Sequence, residues 1–363
     1  MGVFRKACGA AFAGSIVALA MGLWTPAAQG QAKPFEGVTL RVATFGGPWR
    51  DDLAKNLSPK IEALGGKVEF VIGSPQDNLA KLIAARGREA PFDVIEILDA
   101  QVDQVIEGGL LMPIDYSAIP NAGQIEPWQR MPQAVGIWTT QEVICYDKGK
   151  FAALGLPVPT TYKDLANDKL QGRVMLADIT GGGGLANFAG IVYASGGDTS
   201  NVKPGLDTIG TIKGAKFWKA GADVIAAFKA GDIYAAVAHT GWCLRAIKYA
   251  GANVASAHPR INATKTGVLK VGWIGVVKGT KNAAAAMQFI NAYLDEEFQL
   301  GFAKNTGVWP SNTKARQRLR TEDALFVSLN NIDQADIDRM LRIDYKGVNI
   351  NSWYDQWNRA VSK

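Results

Sequence analysis

Apolar and polar positions along the chain alternate between two patterns from residue 38 onward. Apolar runs typical of strands are each followed by a segment with the spacing of a helix. Three such pairs stand in succession: 38–43 with 48–64, 67–72 with 76–86, and 92–98 with a helix capped by Asp99. The third apolar run is almost unbroken, as in a strand covered on both faces. This order predicts an open, doubly wound α/β sheet.

The second half of the chain repeats the alternation with different residues. It predicts strands at 136–147, 173–177, 235–238 and 268–277, a helix at 185–195, and helices from Asn282 almost to the end. The stretches near 138–146 and 268–277 connect the two halves. We therefore expect two α/β lobes joined by hinge strands. The expected boundaries are 33–138 plus 268–310 for lobe 1, 139–267 for lobe 2, and C-terminal helices at 311–363 packed on lobe 2.

The first thirty residues have the pattern of a secretory signal peptide. Arg5 and Lys6 precede an apolar run that is shorter than the ~20 residues of a membrane-spanning helix. Small residues at Ala28 and Gly30 then suit the cleavage positions. We expect cleavage near Gly30 or Ala32 and a periplasmic mature protein.

Composition narrows the function classes. Hydrophobic residues make up 48% of the 363 residues, which is enough for a full core, and the net charge is +6. The basic residues are spread along the chain, so no nucleic-acid partner is expected. Three cysteines are too few for a disulfide-stapled scaffold. Cys145 stands in an apolar run typical of a buried thiol, and we expect Cys145 and Cys243 to be unpaired.

Glycine-rich loops are the first candidate for binding chemistry. Gly181, Gly183 and Ala186 satisfy a G-x-G-x-x-A spacing between a predicted strand and a predicted helix. One interpretation is a dinucleotide site, although an exported protein rarely meets a nicotinamide cofactor. Another is an oxyanion site, because glycines expose backbone N–H groups at the positive end of a helix. A plain flexible turn is the third. Gly46-Gly47-Pro48 has the same arrangement in the first half of the chain.

Aromatic residues at loop and strand ends are further ligand candidates, although each could equally serve the core. They are Phe45, Trp49, Trp138, Trp242 and Trp273. His239 could face a cleft or be structural. The sequence contains no nucleophile-elbow, phosphate-loop or zinc-protease motif and no ligand-spaced metal cluster. We therefore predict a protein that is not an enzyme, with no cofactor and no metal.

Charge is distributed unevenly along the chain. Between Ile233 and Leu294 there is no Asp or Glu, whereas this segment contains Arg245, Lys248, Arg260, Lys265, Lys270, Lys278 and Lys281. One interpretation is a positive cleft wall that attracts an acidic ligand. The other is a basic outer face or a patch for an acidic partner.

Several segments resemble the periplasmic solute-binding proteins of ABC importers, in particular the spermidine/putrescine binders, with iron, thiamine and aminoethylphosphonate binders as relatives. The similar segments are 92–95, 108–121, 161–165, 170–174, 278–282 and 289–291, with Gln299, Gly307 and Pro310. The resemblance implies two lobes that close on a ligand, docking on a membrane permease, and a monomer. By position it implies contacts from 44–49, Asp99, 138–140, 180–184, 240–242 and the region of Trp273.

The predicted ligand differs from that of the polyamine binders. Those proteins place an acidic residue on the return strand, where this chain has Lys270 and no carboxylate. We therefore predict a small organic anion or zwitterion (a carboxylate or phosphonate). A polyamine is kept open, because Asp99 could still bind one amine. The alternative is an exported enzyme or nucleotide-dependent oxidoreductase that uses the 181–186 loop. The predicted ligand-binding residues are Thr44, Phe45, Gly46, Gly47, Trp49, Asp99, Trp138, Thr139, Thr180, Gly181, Gly182, Gly183, Gly184, Thr240, Trp242, Arg245, Lys270 and Trp273.

Overall fold

The computed structural model describes Gly2 and residues 33–86 and 88–361, so nearly all of the predicted signal peptide and its cleavage site lie outside the described residues. The strands are β1 (Thr39–Thr44), β2 (Lys67–Ile72), β3 (Val94–Leu98), β4 (Val135–Asp147), β5 (Val174–Ala177), β6 (Lys216–Trp218), β7 (Ala235–His239), β8 (Val254–Ala257), β9 (Val268–Val276) and β10 (Trp309–Pro310). The helices are α1 (Pro48–Asn56), α2 (Ser58–Glu62), α3 (Pro75–Ala84), α4 (Asp99–Glu107), α5 (Lys148–Ala153), α6 (Gly184–Ala194), α7 (Lys203–Thr211), α8 (Gly221–Ala230), α9 (Thr240–Ala250), α10 (Ala283–Tyr293), α11 (Glu296–Thr306), α12 (Thr313–Glu322), α13 (Ala324–Leu329), α14 (Gln334–Asp338) and α15 (Ile350–Val361).

The strands form one sheet of order β2-β1-β3-β9-β4-β7-β5-β6, and β8 and β10 both pair with β4. Parallel strands occupy both ends: β1 between β2 and β3, and β5 between β6 and β7. The long strands β4 and β9 run antiparallel in the centre. β9 pairs with β3 over 272–276, and the far end of β4 pairs with β7 over 142–146. This arrangement confirms the predicted α/β architecture, with two strands that pass from one half to the other.

The buried apolar residues form separate clusters on the two sides of these central strands. One cluster includes Leu40, Phe289 and Phe302, and another includes Phe188. The C-terminal helix α15 joins the latter, because the rings of Trp353 and Trp357 lie 5.6 and 5.3 Å from that of Phe188. The lobe boundaries themselves stay a prediction. Within the described part of the chain, no helix has the length and apolarity needed to cross a bilayer.

Two local expectations are wrong. The segment 48–64 forms two helices rather than one, because Pro59 has no N–H with which to continue α1. Cys145 and Cys243 are joined in a disulfide with Cα atoms 5.6 Å apart, within the range such a bridge needs. Cys145 lies on β4 opposite Ala236 of β7, and α9 begins directly after β7. This pairing brings the two cysteines together.

Candidate functional site

A cavity of about 540 Å³ lies beside the two central strands, and we call it the central cavity. Its lining comes from the segments that follow β1, β2 and β6, from the junction of β7 with α9, and from side chains of β4 and β9. The carboxyl ends of parallel strands are the usual position for a ligand in an open α/β sheet. The volume lies within the range of small-molecule sites.

The structure brings half of the predicted site residues together at this cavity. Those that line it are Phe45, Gly46, Gly47, Trp49, Trp138, Gly182, Trp242, Arg245 and Lys270. A small neighbouring cavity of about 40 Å³ is lined by Asp99, Thr180, Gly181, Gly183 and Gly184, again with Gly182 and Lys270. Thr44, Thr139, Thr240 and Trp273 line neither cavity.

Phe45, Trp49 and Trp138 form what we call the first wall of the central cavity. The rings of Phe45 and Trp138 meet that of Trp49 edge to face, at 5.4 and 5.1 Å. Close packing fixes Trp138 from behind, because a Cβ at Gly272 would lie 2.1 Å from its ring. Only glycine therefore allows the indole to lie flat on β9 at this position.

A buried carboxylate, Glu96 of β3, orients the first wall. Oε1 accepts a hydrogen bond from Trp138 Nε1 at 2.8 Å, and Oε2 accepts one from Trp49 Nε1 at 3.1 Å. The hydroxyl of Thr44 also donates to Oε2. Burial raises the pKa of Glu96, and the hydrogen bonds partly offset that effect. Because indole N–H groups can only donate, both oxygens act as acceptors here.

Trp218, His239 and Trp242 form the second wall. The guanidinium of Arg245 lies 3.8 Å from the centre of the Trp242 ring, a cation–π contact. Its Nε and Nη2 donate to the carbonyl of Thr306 at 3.2 and 2.7 Å. Burial lowers the pKa of Arg245 to about 10, so the group remains cationic at neutral pH.

His239 supplies a neutral hydrogen-bond donor on the second wall. It caps α9, and its Nδ1 accepts a hydrogen bond from the Gly241 N–H at 3.1 Å. The proton of the neutral ring therefore belongs on Nε2. Burial, with smaller contributions from Lys270 and Arg245, holds the pKa of His239 well below its usual value.

Lys270 does not present a free charge to the cavity. Its Nζ lies 3.2 Å from Oε1 of Glu142 on the neighbouring strand β4, and both side chains are buried. Asn187 donates to the other oxygen of Glu142 at 2.7 Å, and Thr140 donates to Oε1 at 2.9 Å. The pair lies on the two strands that connect the halves of the molecule, and its net charge is zero.

The basic segment between 233 and 294 is divided between the cavity and other surfaces. Arg245 and Lys270 line the central cavity, whereas Lys248, Arg260, Lys278 and Lys281 are exposed outside it. Residues of this segment therefore occur both in the cavity lining and on exposed surfaces, and the attraction of an acidic ligand stays a prediction. No acidic residue occurs among the described residues that line the cavity. The cation without a carboxylate partner is Arg245, with exposed Lys219 at the rim.

The glycine loop after β5 is a packed turn. A Cβ at Gly184 would lie 2.0 Å from the carbonyl oxygen of Asp178, so close backbone approach requires glycine there. The cavity at the loop, about 40 Å³, is close to one water's share of liquid volume. That cavity alone is too small for a dinucleotide.

Asp99 connects α4 to β9 instead of standing free for an amine. Its oxygens accept from the Val271 N–H at 2.7 Å and from Trp273 Nε1 at 2.8 Å. Burial raises the pKa of Asp99 to about 6.

Sequence reasoning missed several contributors to the site. Glu96 and Glu142 stand inside apolar strand segments, and their partners are far along the chain. Gly221 was also missed, although a Cβ there would lie 1.9 Å from the Trp242 ring. Nothing in the sequence around Gly221 indicates that the indole of Trp242 packs against it. Among the described residues, no group of three or more His, Cys, Asp and Glu side chains could hold a metal ion.

A doubly wound sheet with two connecting strands and an aromatic cavity beside them defines a protein that binds a small solute. Comparison with known proteins agrees: residues 60–326 match the bacterial extracellular solute-binding protein family. The chain belongs to that family, whose members are transport binding proteins that act outside the cytoplasm.

Individual relatives are distant. The chain is 27% identical to "Iron uptake protein A1" of Synechocystis sp. over 262 residues, 68% of this chain and 69% of the relative. The PBP AgtB from A. tumefaciens R10, solved in complex with agropinic acid, is 23% identical with a TM-score of 0.70, covering 90% of this chain and 99% of that one. A putative spermidine/putrescine ABC transporter protein from Listeria monocytogenes is 18% identical with a TM-score of 0.69, covering 88% and 97%. The two solved structures support the fold alone.

Proposed function

We propose that this solute-binding protein captures a small organic anion or zwitterion with an apolar body and delivers it to the membrane permease of an ABC importer. The observation that carries the proposal is Arg245, a buried cation without a carboxylate partner in a cavity with no acidic lining residue. The ligand's carboxylate or phosphonate would bind there, and its apolar part would lie between the two aromatic walls.

The other polar groups at the central cavity also favour a negatively charged ligand. His239 offers a neutral N–H, and α1 and α9 begin at the cavity, where helix starts favour negative charge. A diamine would instead need carboxylates, and both Glu96 and Glu142 are already engaged by several donors. AgtB, solved with agropinic acid, is a protein of this fold with an acidic ligand.

Closure of the two halves around the ligand completes the proposed mechanism. A solute that contacts both walls only when they approach would shift the protein toward the closed form. The two long strands β4 and β9 are the connections that would bend. We place the protein in the periplasm after removal of residues up to about Gly30, as a monomeric binder and not a catalyst.

The test is calorimetric titration of the processed protein with amino acids, dicarboxylates, aminoethylphosphonate, phosphate esters, putrescine, spermidine and ferric citrate. We expect binding of a carboxylate or phosphonate. Arg245→Met should lower that affinity about 100-fold, roughly 3 kcal/mol, as for loss of one partner of a buried charge pair.

The matched control is Lys248→Met, one turn further along α9 and exposed, which should leave affinity unchanged. Binding of putrescine or spermidine alone would contradict the proposal, as would an anion whose affinity is the same in both variants.

A further inference from the structure

A second cavity, of about 320 Å³, lies on the opposite face of the two central strands, and we call it the reverse cavity. Successive side chains of a strand point to opposite faces of the sheet. Accordingly Thr140 and Lys270 line the central cavity, whereas their neighbours Thr139 and Leu269 line the reverse cavity. The proposed solute site does not include any residue of this second cavity.

Two buried polar atoms in the lining of the reverse cavity lack a hydrogen-bond partner among the described residues. They are Nε1 of Trp309 and Oγ1 of Thr139, on side chains that are 3% and 2% exposed. The two residues are directly paired across β10 and β4, so their side chains lie on the same face. An indole N–H can only donate, so an occupant that satisfies this pair must present an acceptor atom.

Three cations and two carboxylates line the reverse cavity, and one of the carboxylates, Asp338, is exposed, so the charges favour a negative occupant. Arg316 pairs with Glu126 at 3.1 Å, which neutralises both side chains. Lys265 donates to the backbone carbonyls of Asp338 and Met340 at 3.0 and 3.4 Å, so its charge is not balanced by that contact. The guanidinium of Arg342 lies 3.9 Å over the ring of Trp128.

Apart from Gln334 and Asp338, which are exposed, the rest of the lining is apolar. It comprises Trp128, Leu269, Ile337, Met340 and Leu341. The indole of Trp128, covered on one side by Arg342, offers a flat surface suited to a planar ring. Water could form hydrogen bonds with the two polar atoms, but only an occupant with an apolar part would be stabilised by contact with these apolar surfaces.

We propose that the reverse cavity is a second binding site, for a small carboxylate with an aromatic or other apolar body. The carboxylate accepts from Trp309 Nε1 and Thr139 Oγ1, and the body packs against Trp128 and Leu269. The site is separate from the central cavity and does not depend on the identity of the transported solute.

The experiment uses 4-fluorobenzoate as the probe and follows its binding to the processed protein by fluorine NMR. Thr139→Val removes one hydrogen-bonding group with little change of shape, and Trp309→Phe removes the other together with the pyrrole part of the indole. Each should weaken binding roughly tenfold. Lys248→Met, exposed on α9 and in the lining of neither cavity, should leave this binding unchanged. Arg245→Met should remove only probe bound in the central cavity and leave the binding that Thr139→Val and Trp309→Phe weaken. Thermal melts of all variants check that they are folded.

Two results would overturn the proposal. One is the absence of saturable binding of 4-fluorobenzoate to wild-type protein. The other is binding that Arg245→Met abolishes while Thr139→Val and Trp309→Phe retain it, since the probe would then occupy the central cavity only.

Discussion

The two walls of the central cavity are built on buried charges of opposite sign. Glu96 lies behind the first wall and holds Trp49 and Trp138 through their indole N–H groups. On the second wall Arg245 stacks on the face of Trp242 and itself lines the cavity. An anion behind the rings serves to position them, whereas a cation beside the ring remains available to a ligand. A buried charge near a site can therefore either hold the aromatic rings in place or be available to a ligand, depending on which side of the ring it occupies.

The largest effect should come from removing the charge behind the first wall. In Glu96→Gln one carboxylate oxygen becomes an NH₂ group that faces an indole or hydroxyl donor. We expect unfolding free energy to fall by about 2–4 kcal/mol, as for a broken buried network of charge-assisted hydrogen bonds. Urea unfolding measures this loss. Glu69→Gln, exposed on the edge strand β2, is the matched control and should change stability by less than about 0.5 kcal/mol.

The comparison between the walls requires that Arg245→Met behave differently from Glu96→Gln. Arg245→Met should mainly lower the affinity for the ligand and should change the free energy of unfolding much less. If Arg245→Met destabilised the protein as much as Glu96→Gln does, Arg245 would be a second scaffold charge and the contrast between the walls would be wrong.

An intermediate effect is expected from the glycines that support each wall. Gly272→Ala would displace Trp138 and Gly221→Ala would displace Trp242, each at an overpacking cost of about 1–3 kcal/mol. Gly272→Ala should mainly lower the thermal midpoint, because Trp138 is tied to Glu96. Gly221→Ala should also weaken ligand binding, because Arg245 stacks on Trp242. Gly210→Ala on α7 meets open space and is the control; a similar loss there would show that the ring contacts are not responsible.

The smallest effect is a pH dependence that separates the walls. His239 has a pKa far below that of the unfolded chain, so its stabilising contribution is full above pH 6.5 and is lost as the pH falls. For one titrating group, the free energy of unfolding cannot change by more than about 1.4 kcal/mol per pH unit. Glu96, with a raised pKa, has the opposite sign: its ionisation costs stability as the pH rises above 4.5.

Replacing His239 with Asn keeps an oxygen to cap α9 and should flatten the loss of stability below pH 6.5. Because burial also lowers the pKa of His258, to about 4, the same measurement is made on His258→Asn. An unchanged pH profile in His239→Asn would show that this imidazole is not held neutral.

Much of the fold could be predicted because its signals are local. The nearly unbroken apolar run at 92–98 and the long run at 136–147 identified two buried strands, and Pro48 marked the start of α1. For the same reason, the loop at 45–49 and the tryptophans beside it could be predicted as parts of the site lining. Each of these features depends on residues within one element.

What the sequence could not reveal depends on partners far along the chain. Lys270 looked like a positive wall because its partner Glu142 is on another strand, and counting charges along a segment does not detect pairing across a sheet. Asp99 looked free for an amine, whereas Trp273 and the backbone of Val271 occupy its oxygens. Register and strand order decide these contacts.

The disulfide makes folding of the second wall depend on the compartment. Cys145 and Cys243 are 98 residues apart, and by chain entropy closing a loop of that size is worth about 4–5 kcal/mol. The loop contains Trp218, His239 and Trp242, the last of these directly before Cys243. In the reducing cytosol the chain would lack this restraint, so its second half should reach full stability only after translocation into an oxidising space. The bond therefore links full stability of the second wall to export of the chain.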